Sequence, residues 1–365
     1  MRLVTCAFKT KYQHEVYQAG KRYVCPDPDA GEWFRAAPDA VRVSSVRSWE
    51  RPYFGHDLTD RSLWVSRGCG MGDALVMTGV LAEIKRRWPS SRLTFSTRKA
   101  ARRLCGAGEP DSEVDKVFQF GSDVLPFDEW AAFDWHKIVE EIIELDREPD
   151  QTDIWTTHFR FFGLGPVEPV RCRPLNIVTG KARSCAHDWL SRLAITKPVL
   201  LYQIGATSPA RSQSWGRVAA TADTLAERFP DMQVVLVGGK ESAAFQTVPR
   251  VARLIGEDPL IMVGLCALSR VIVGPDSCIN HIAAGLGEAS PPVVSLWSSF
   301  DPAARVATYP HQFPIYNRLP CSPCFHHEFG PVEGCPMYRG HCHGLEAITP
   351  AQICNRVAEA LESTP

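Results

Sequence analysis

No run in this sequence is long and apolar enough to span a bilayer as a helix, so a helical membrane anchor is not expected. Net charge is equally scarce. With 40 Lys and Arg against 41 Asp and Glu, the formal charge is −1, and no global field draws the chain to nucleic acid or anionic lipid. The opening residues Met1-Arg2-Leu3-Val4-Thr5-Cys6 soon meet Lys9, Lys11, His14 and Glu15. A secretory leader is therefore not expected, and the expected location is cytoplasmic. Internal repeats and low-complexity tracts are missing as well, so a solenoid is not expected.

What is present is globular. The chain has 365 residues, too many for one ordinary core and comfortable for two domains. Hydrophobic content of 45% and charged content of 22% fit that class. The basic runs Lys85-Arg86-Arg87 and Arg98-Lys99 with Arg102-Arg103 read as solvated helix ends. Of 13 cysteines, four crowd between Cys321 and Cys342, and the other nine are scattered singly, as buried small hydrophobes usually are.

The pattern along the chain predicts an α/β protein. Residues 1–60 read as an N-terminal extension with a strand over Arg2–Phe8, a hairpin and a helix over Pro28–Ala37. From residue 61 the order becomes strand (Leu63–Ser66), glycine-rich turn (Arg67–Asp73), helix (Ala74–Trp88) and strand (Arg92–Thr97), the signature of a parallel sheet. A second series follows a join near 178–196. Its strands are Val199–Ile204, Gln233–Val237, Val271–Val273 and Pro292–Trp297, with helices over Trp215–Phe229 and Leu265–Leu268 and another opening after Asn280. Thr349 as N-cap and Pro350 in the first turn open a last helix. The expected domains are 1–60, 61–180, 181–348 and a terminal helix at 349–365, with a cleft between two Rossmann-like lobes.

Two loops can carry chemistry. In Gly70-Met71-Gly72-Asp73 the glycines permit a sharp turn and close approach to a ligand, and a following helix N-terminus favours negative charge. The motif falls short of the full dinucleotide fingerprint, and Asp73 taken alone reads first as a helix cap. Gly274-Pro275-Asp276-Ser277-Cys278-Ile279-Asn280-His281 also enters a helix after a strand. Its backbone N–H groups and the Ser277 hydroxyl suit a diphosphate, while capping by Asp276 or Ser277 with His281 satisfied in the interior is the competing reading.

Taken together, Gly72-Asp73, Ser214-Trp215 after Gly205, Asp276-Ser277 with His281, and the later Pro-Val-Val and Asp301-Pro302 resemble glycosyltransferase family 9. That family includes the ADP-heptose:lipopolysaccharide heptosyltransferases. The resemblance covers roughly 62–360 and implies a GT-B fold of two Rossmann-like domains, with metal-independent transfer from a nucleotide sugar such as ADP-heptose. By position, Asp73 matches the catalytic base. Asp276, Ser277 and His281 match the donor-binding loop, and the candidate donor site adds Gly70, Gly72, Arg211, Gln213 and Lys240. Two departures stand out. Gln213 occupies the place of a usual Lys, leaving Arg211 as the nearest cation, and Cys278 stands where Gly is usual.

The remaining motif is Cys321-Ser322-Pro323-Cys324 with Cys335 and Cys342, a four-thiolate pattern for one tetrahedral structural metal. Cys₄ chemistry favours zinc. A similar element in autotransporter heptosyltransferases holds iron, so the resemblance implies iron. Disulfides and unpaired buried thiols are the competing readings. The expected partners are a nucleotide-sugar donor, an acceptor hydroxyl on a glycan, protein or modified DNA base, and further copies of the chain in a homo-oligomer. Rival readings of the same fold are a sugar-nucleotide epimerase and a non-catalytic adaptor.

Overall fold

The computed structural model describes residues 53–67, 70–97, 127–131, 153–206, 211–320, 322 and 341–364. It also gives the strand backbones at 2–6, 10–12, 15–17, 22–25, 41–45, 116–119 and 125–132. The chain divides into two compact units. The first comprises Met1–Leu145 and Thr156–Val167, the second Asp146–Trp155 and Glu168–Pro365.

The first unit holds two four-stranded sheets and a short hairpin. Its elements are β1 (Arg2–Cys6), β2 (Thr10–Tyr12), β3 (Glu15–Tyr17), β4 (Arg22–Cys25), β5 (Val41–Ser45), β6 (Ser62–Arg67), α1 (Met71–Arg87), β7 (Arg92–Thr97), β8 (Lys116–Gln119), β9 (Leu125–Phe127) and β10 (Glu129–Ala132). One sheet runs β5-β1-β4-β9 and its pairings are antiparallel. The other runs β10-β6-β7-β8 and is parallel throughout. The strand at the chain's start is therefore no free-standing hairpin arm: β1 pairs with β4 and β5, and β4 takes β9 from far along the chain. The helix expected over Pro28–Ala37 lies outside the described residues.

Asp128 separates β9 from β10. Its Oδ2 accepts from both the Ser62 N–H (2.9 Å) and the Ser62 hydroxyl (2.7 Å), fixing the switch from one sheet to the other. Leu63, Trp64 and Val65 of β6 are buried, as a strand in a parallel sheet requires. Of the expected helical stripe Met77, Val80, Leu81, Ile84 and Trp88, the first four are buried on α1 and Trp88 is its half-buried C-cap. Leu75, Val76 and Thr78 are buried too, so the helix is covered on more than one face. A second helix, α2 (Ile154–Phe161), starts in the second unit's segment and continues into the first unit's.

The second unit is a doubly wound sheet. Its elements are α3 (Gly180–Arg192), β11 (Val199–Gln203), α4 (Trp215–Arg228), β12 (Gln233–Gly238), β13 (Ala252–Ile255), α5 (Pro259–Leu268), β14 (Ser269–Pro275), α6 (Cys278–Gly285), β15 (Val293–Trp297), α7 (Ala303–Val306), β16 (Ile315–Tyr316), α8 (His343–Ala347) and α9 (Pro350–Ser363). The strand order is β13-β12-β11-β14-β15-β16, all parallel, so the chain reverses direction across the sheet between β11 and β14.

Leu200 and Tyr202 of β11 share a buried core with Val218, Ala222 and Leu225 of α4 and with Ile353, Val357 and Ala360 of α9. The segment read as a join near 178–196 is the helix α3, which packs against α5. The two helices meet so closely that a Cβ on Gly264 would lie 2.1 Å from the Ala182 carbonyl oxygen, a distance only glycine tolerates. Among the described residues no helix is long and apolar enough to cross a membrane.

Candidate functional site

In the first unit, α1 begins earlier than its apolar stripe suggests, so Gly72 and Asp73 are helical residues and Gly70 is the N-cap. No side chain caps this end. Asp73 is thus not the cap that its position in the motif permits. Its Oδ1 accepts a bond of 2.6 Å from Nη2 of Arg67, the last residue of β6. Arg67 is buried, with 4% of its side chain exposed, while Asp73 is 42% exposed. The other side of the guanidinium, Nη1, lies 2.7 Å from Nε2 of His158 on α2. The first turn of a helix also favours a carboxylate through its aligned N–H groups. An oriented, solvent-reachable carboxylate of this kind can remove a proton from a hydroxyl.

In the second unit, the predicted loop residues gather where β11 and β14 end. Ser277 is the N-cap of α6 by backbone, yet its hydroxyl makes no cap bond. It donates instead to Gln203 Oε1 at 2.7 Å, and Gln203 Nε2 donates to the Gly205 carbonyl at 2.9 Å. Arg211 Nη1 stands 3.6 Å from Asp276 Oδ2, with the two side chains 27% and 15% exposed. A half-buried cation, a hydroxyl and a helix start without a side-chain cap thus meet at the point where doubly wound sheets bind ligands. Lys240 is exposed at the end of β12, on the same edge of the sheet.

Other predicted residues lie deeper. His281 is buried, with Nδ1 2.7 Å from the Tyr309 hydroxyl. Burial pushes that phenol well above its usual range. Gln213 is buried too. It accepts from the Tyr202 hydroxyl at 3.1 Å and donates to the Leu345 carbonyl at 2.7 Å, so its amide ties the loop to α8. Cys278 is buried, and desolvation raises its thiol to about 11 against a weaker opposing bond with Gln203. It is therefore a neutral packing residue at neutral pH.

Cys321, Cys324 and Cys335 lie outside the described residues. Cys342 is half-buried at the N-cap of α8, and its N–H points to the Ser212 carbonyl at 3.4 Å. Among the described residues no group of three or more His, Cys, Asp or Glu could hold a metal.

Sequence reasoning missed three participants: Arg67, His158 and Gln203. A charged residue closing an otherwise apolar buried strand was a readable signal for Arg67. His158 sits singly among aromatic residues and gave none.

The sequence matches no protein-family profile and no curated protein. Solved structures do resemble it. A glycosyl transferase family 9 protein from Veillonella parvula aligns with TM-score 0.55 at 13% identity, over 85% of this chain and 99% of its own. The ADP-heptose lipopolysaccharide heptosyltransferase II of Escherichia coli gives 0.51 at 16% identity, over 83% and 99%. The iron-containing dodecameric glycosyltransferase TibC from enterotoxigenic E. coli gives 0.57 at 13% identity, over 89% and 83%. Together with the two parallel sheets, this likeness establishes the fold as GT-B.

Proposed function

We propose that this chain is a glycosyltransferase that moves a sugar from a nucleoside-diphosphate donor, such as ADP-heptose, to a hydroxyl acceptor. The observation that carries the reading is the grouping of Arg211, Asp276 and Ser277 where β11 and β14 end. A donor diphosphate needs a cation and N–H donors, and this edge supplies both. In the reaction, the Asp73 carboxylate takes the acceptor proton while the acceptor oxygen bonds to the anomeric carbon. The bond from that carbon to the diphosphate breaks, and the nucleoside diphosphate leaves with the electron pair. Arg211 and the α6 N–H groups stabilise the charge that gathers on the leaving group, which is largest as the bond breaks. Lys240 lies on the same edge and can add to that field.

The remaining assignments follow from the same reading. The chain acts in the cytoplasm on a glycan, protein or modified-base hydroxyl, with no metal needed for transfer. Cys321, Cys324, Cys335 and Cys342 hold one structural iron or zinc, supported by their spacing and by the likeness to an iron-containing glycosyltransferase.

Thermal-shift measurements with ADP-, GDP- and UDP-sugars test the donor, because a ligand that binds only the folded state stabilises it. At least one nucleotide sugar should raise Tm. Asp73→Asn should keep that shift and lose sugar transfer and donor hydrolysis. No shift with any donor, or full turnover in Asp73→Asn, would overturn the proposal.

A further inference from the structure

We propose that Arg67 is a positioning residue for Asp73, and that His158 fixes Arg67 in turn as a neutral imidazole of one defined tautomer. This rests on the reading of Asp73 as the base and deepens it. Three observations carry the chain of contacts. Arg67 lies at the end of β6 with 4% of its side chain exposed. Its Nη2 donates to Asp73 Oδ1 at 2.6 Å. Its Nη1 lies 2.7 Å from His158 Nε2, on a ring that is fully buried.

Elementary hydrogen-bond chemistry then sets the state of the imidazole. A guanidinium has five N–H donors and no acceptor, so a contact of 2.7 Å requires a lone pair on Nε2. The proton of a neutral ring must therefore sit on Nδ1. An imidazolium would bring N–H against N–H and a second cation against the first. His158 thus acts as an acceptor that holds one side of the planar guanidinium, leaving the other to meet Asp73 in a fixed direction.

A carboxylate on the first turn of a helix can rotate about two side-chain bonds. Proton transfer needs its oxygen aligned with the acceptor hydroxyl, and a displacement near 1 Å costs about 100-fold. Arg67 supplies that alignment from inside the protein, where it does not itself touch substrate.

The first test needs no substrate. Protein labelled with ¹⁵N in the histidine rings, with His158 assigned from the His158→Gln spectrum, should show Nδ1 protonated and Nε2 unprotonated at neutral pH. An imidazolium, or the opposite tautomer, would overturn the proposal.

The second test follows ADP release from ADP-heptose. His158→Gln, whose side-chain oxygen can accept from Arg67, should keep kcat near that of the native chain. His158→Leu and Arg67→Met should lower kcat about 100-fold with KM for the donor unchanged. If Asp73→Asn is inactive while Arg67→Met retains its kcat, this inference falls and the base assignment stands. If Asp73→Asn is active, the base assignment falls. If the native chain releases no ADP from this donor, the loss is to the donor reading, and the ring spectrum alone decides the Arg67–His158 contact.

Discussion

Arg211 and Gln213 stand two positions apart in one loop and meet opposite surroundings. Arg211 reaches Asp276 at 3.6 Å and keeps part of its side chain in solvent, whereas the Gln213 amide is bonded on both sides within the core. Their alanine variants should therefore fail differently. Arg211→Ala should abolish the nucleotide-sugar thermal shift and leave the unliganded Tm close to native. Gln213→Ala removes one bond from the Tyr202 hydroxyl and one from the Leu345 carbonyl, which keeps the Ile348 N–H, at a cost of about 0.5–1.5 kcal/mol for each bond lost. It should lower Tm and keep the shift. Equal loss of donor binding in both variants would show that Gln213 acts at the ligand. At this scale the sequence marks what sits on a glycine-rich turn, such as Asp73, because turns have residue signatures. It does not mark His158, since a single histidine on an apolar helix carries no period and its partner is remote in sequence.

At the scale of elements, ends are legible where a side chain caps them. Thr349 and Gln352 form a capping box at the start of α9, with Pro350 in the first turn. Ser214 likewise accepts from Arg217 N at the start of α4. Helix α5 is longer than its sequence suggests because it is apolar on nearly every side. Leu260 through Cys266 are all buried, which erases the helical period, although Asp258 followed by Pro259 signals its start.

The short segment into α8 is held by several contacts. Glu346 accepts from the Ser214 N–H and hydroxyl, and Asn317 donates to the Gly344 carbonyl. A Cβ on Gly344 would fall 2.7 Å from Ser298 Cβ, so any larger residue forces the surrounding backbone to shift. A metal held by Cys321, Cys324, Cys335 and Cys342 would anchor the chain that leads into this element. Purified protein should then carry about one iron or zinc ion per chain, by the rule of one ion per four thiolates. Cys324→Ser or Cys335→Ser should lower metal content and Tm together, while Cys354, buried on α9, should be dispensable for metal. Elemental analysis that finds neither metal would remove this assignment without touching the glycosyltransferase reading.

At the scale of the molecule, the alternation of strand and helix in the second unit was legible at β11, β12, β14 and β15. The short edge strands β13 and β16 carry too few residues to announce themselves. Nor was the antiparallel sheet of the first unit legible. Its strands β1, β4 and β5 are completed by β9, and no local pattern announces a partner so distant. Distance also governs the second unit's core, where α9 packs on α4, β14 and β15. Burial of Ile353 and Val357 alone contributes about 3–6 kcal/mol, at roughly 1.5–3 for each large apolar side chain. That is comparable to the whole net stability of about 5–15 kcal/mol expected for a domain. A chain terminated after Ile348 should therefore lose cooperative thermal unfolding of the second unit and any nucleotide-induced shift. A retained shift would show that α9 is dispensable. The same dependence sets a schedule for biosynthesis. The ribosome releases β14 long before α9, so the apolar face of the nascent sheet must wait uncovered through the translation of every intervening element. During that interval the growing chain is a natural client for chaperones, and an elongation pause upstream of α9 should raise the share that aggregates.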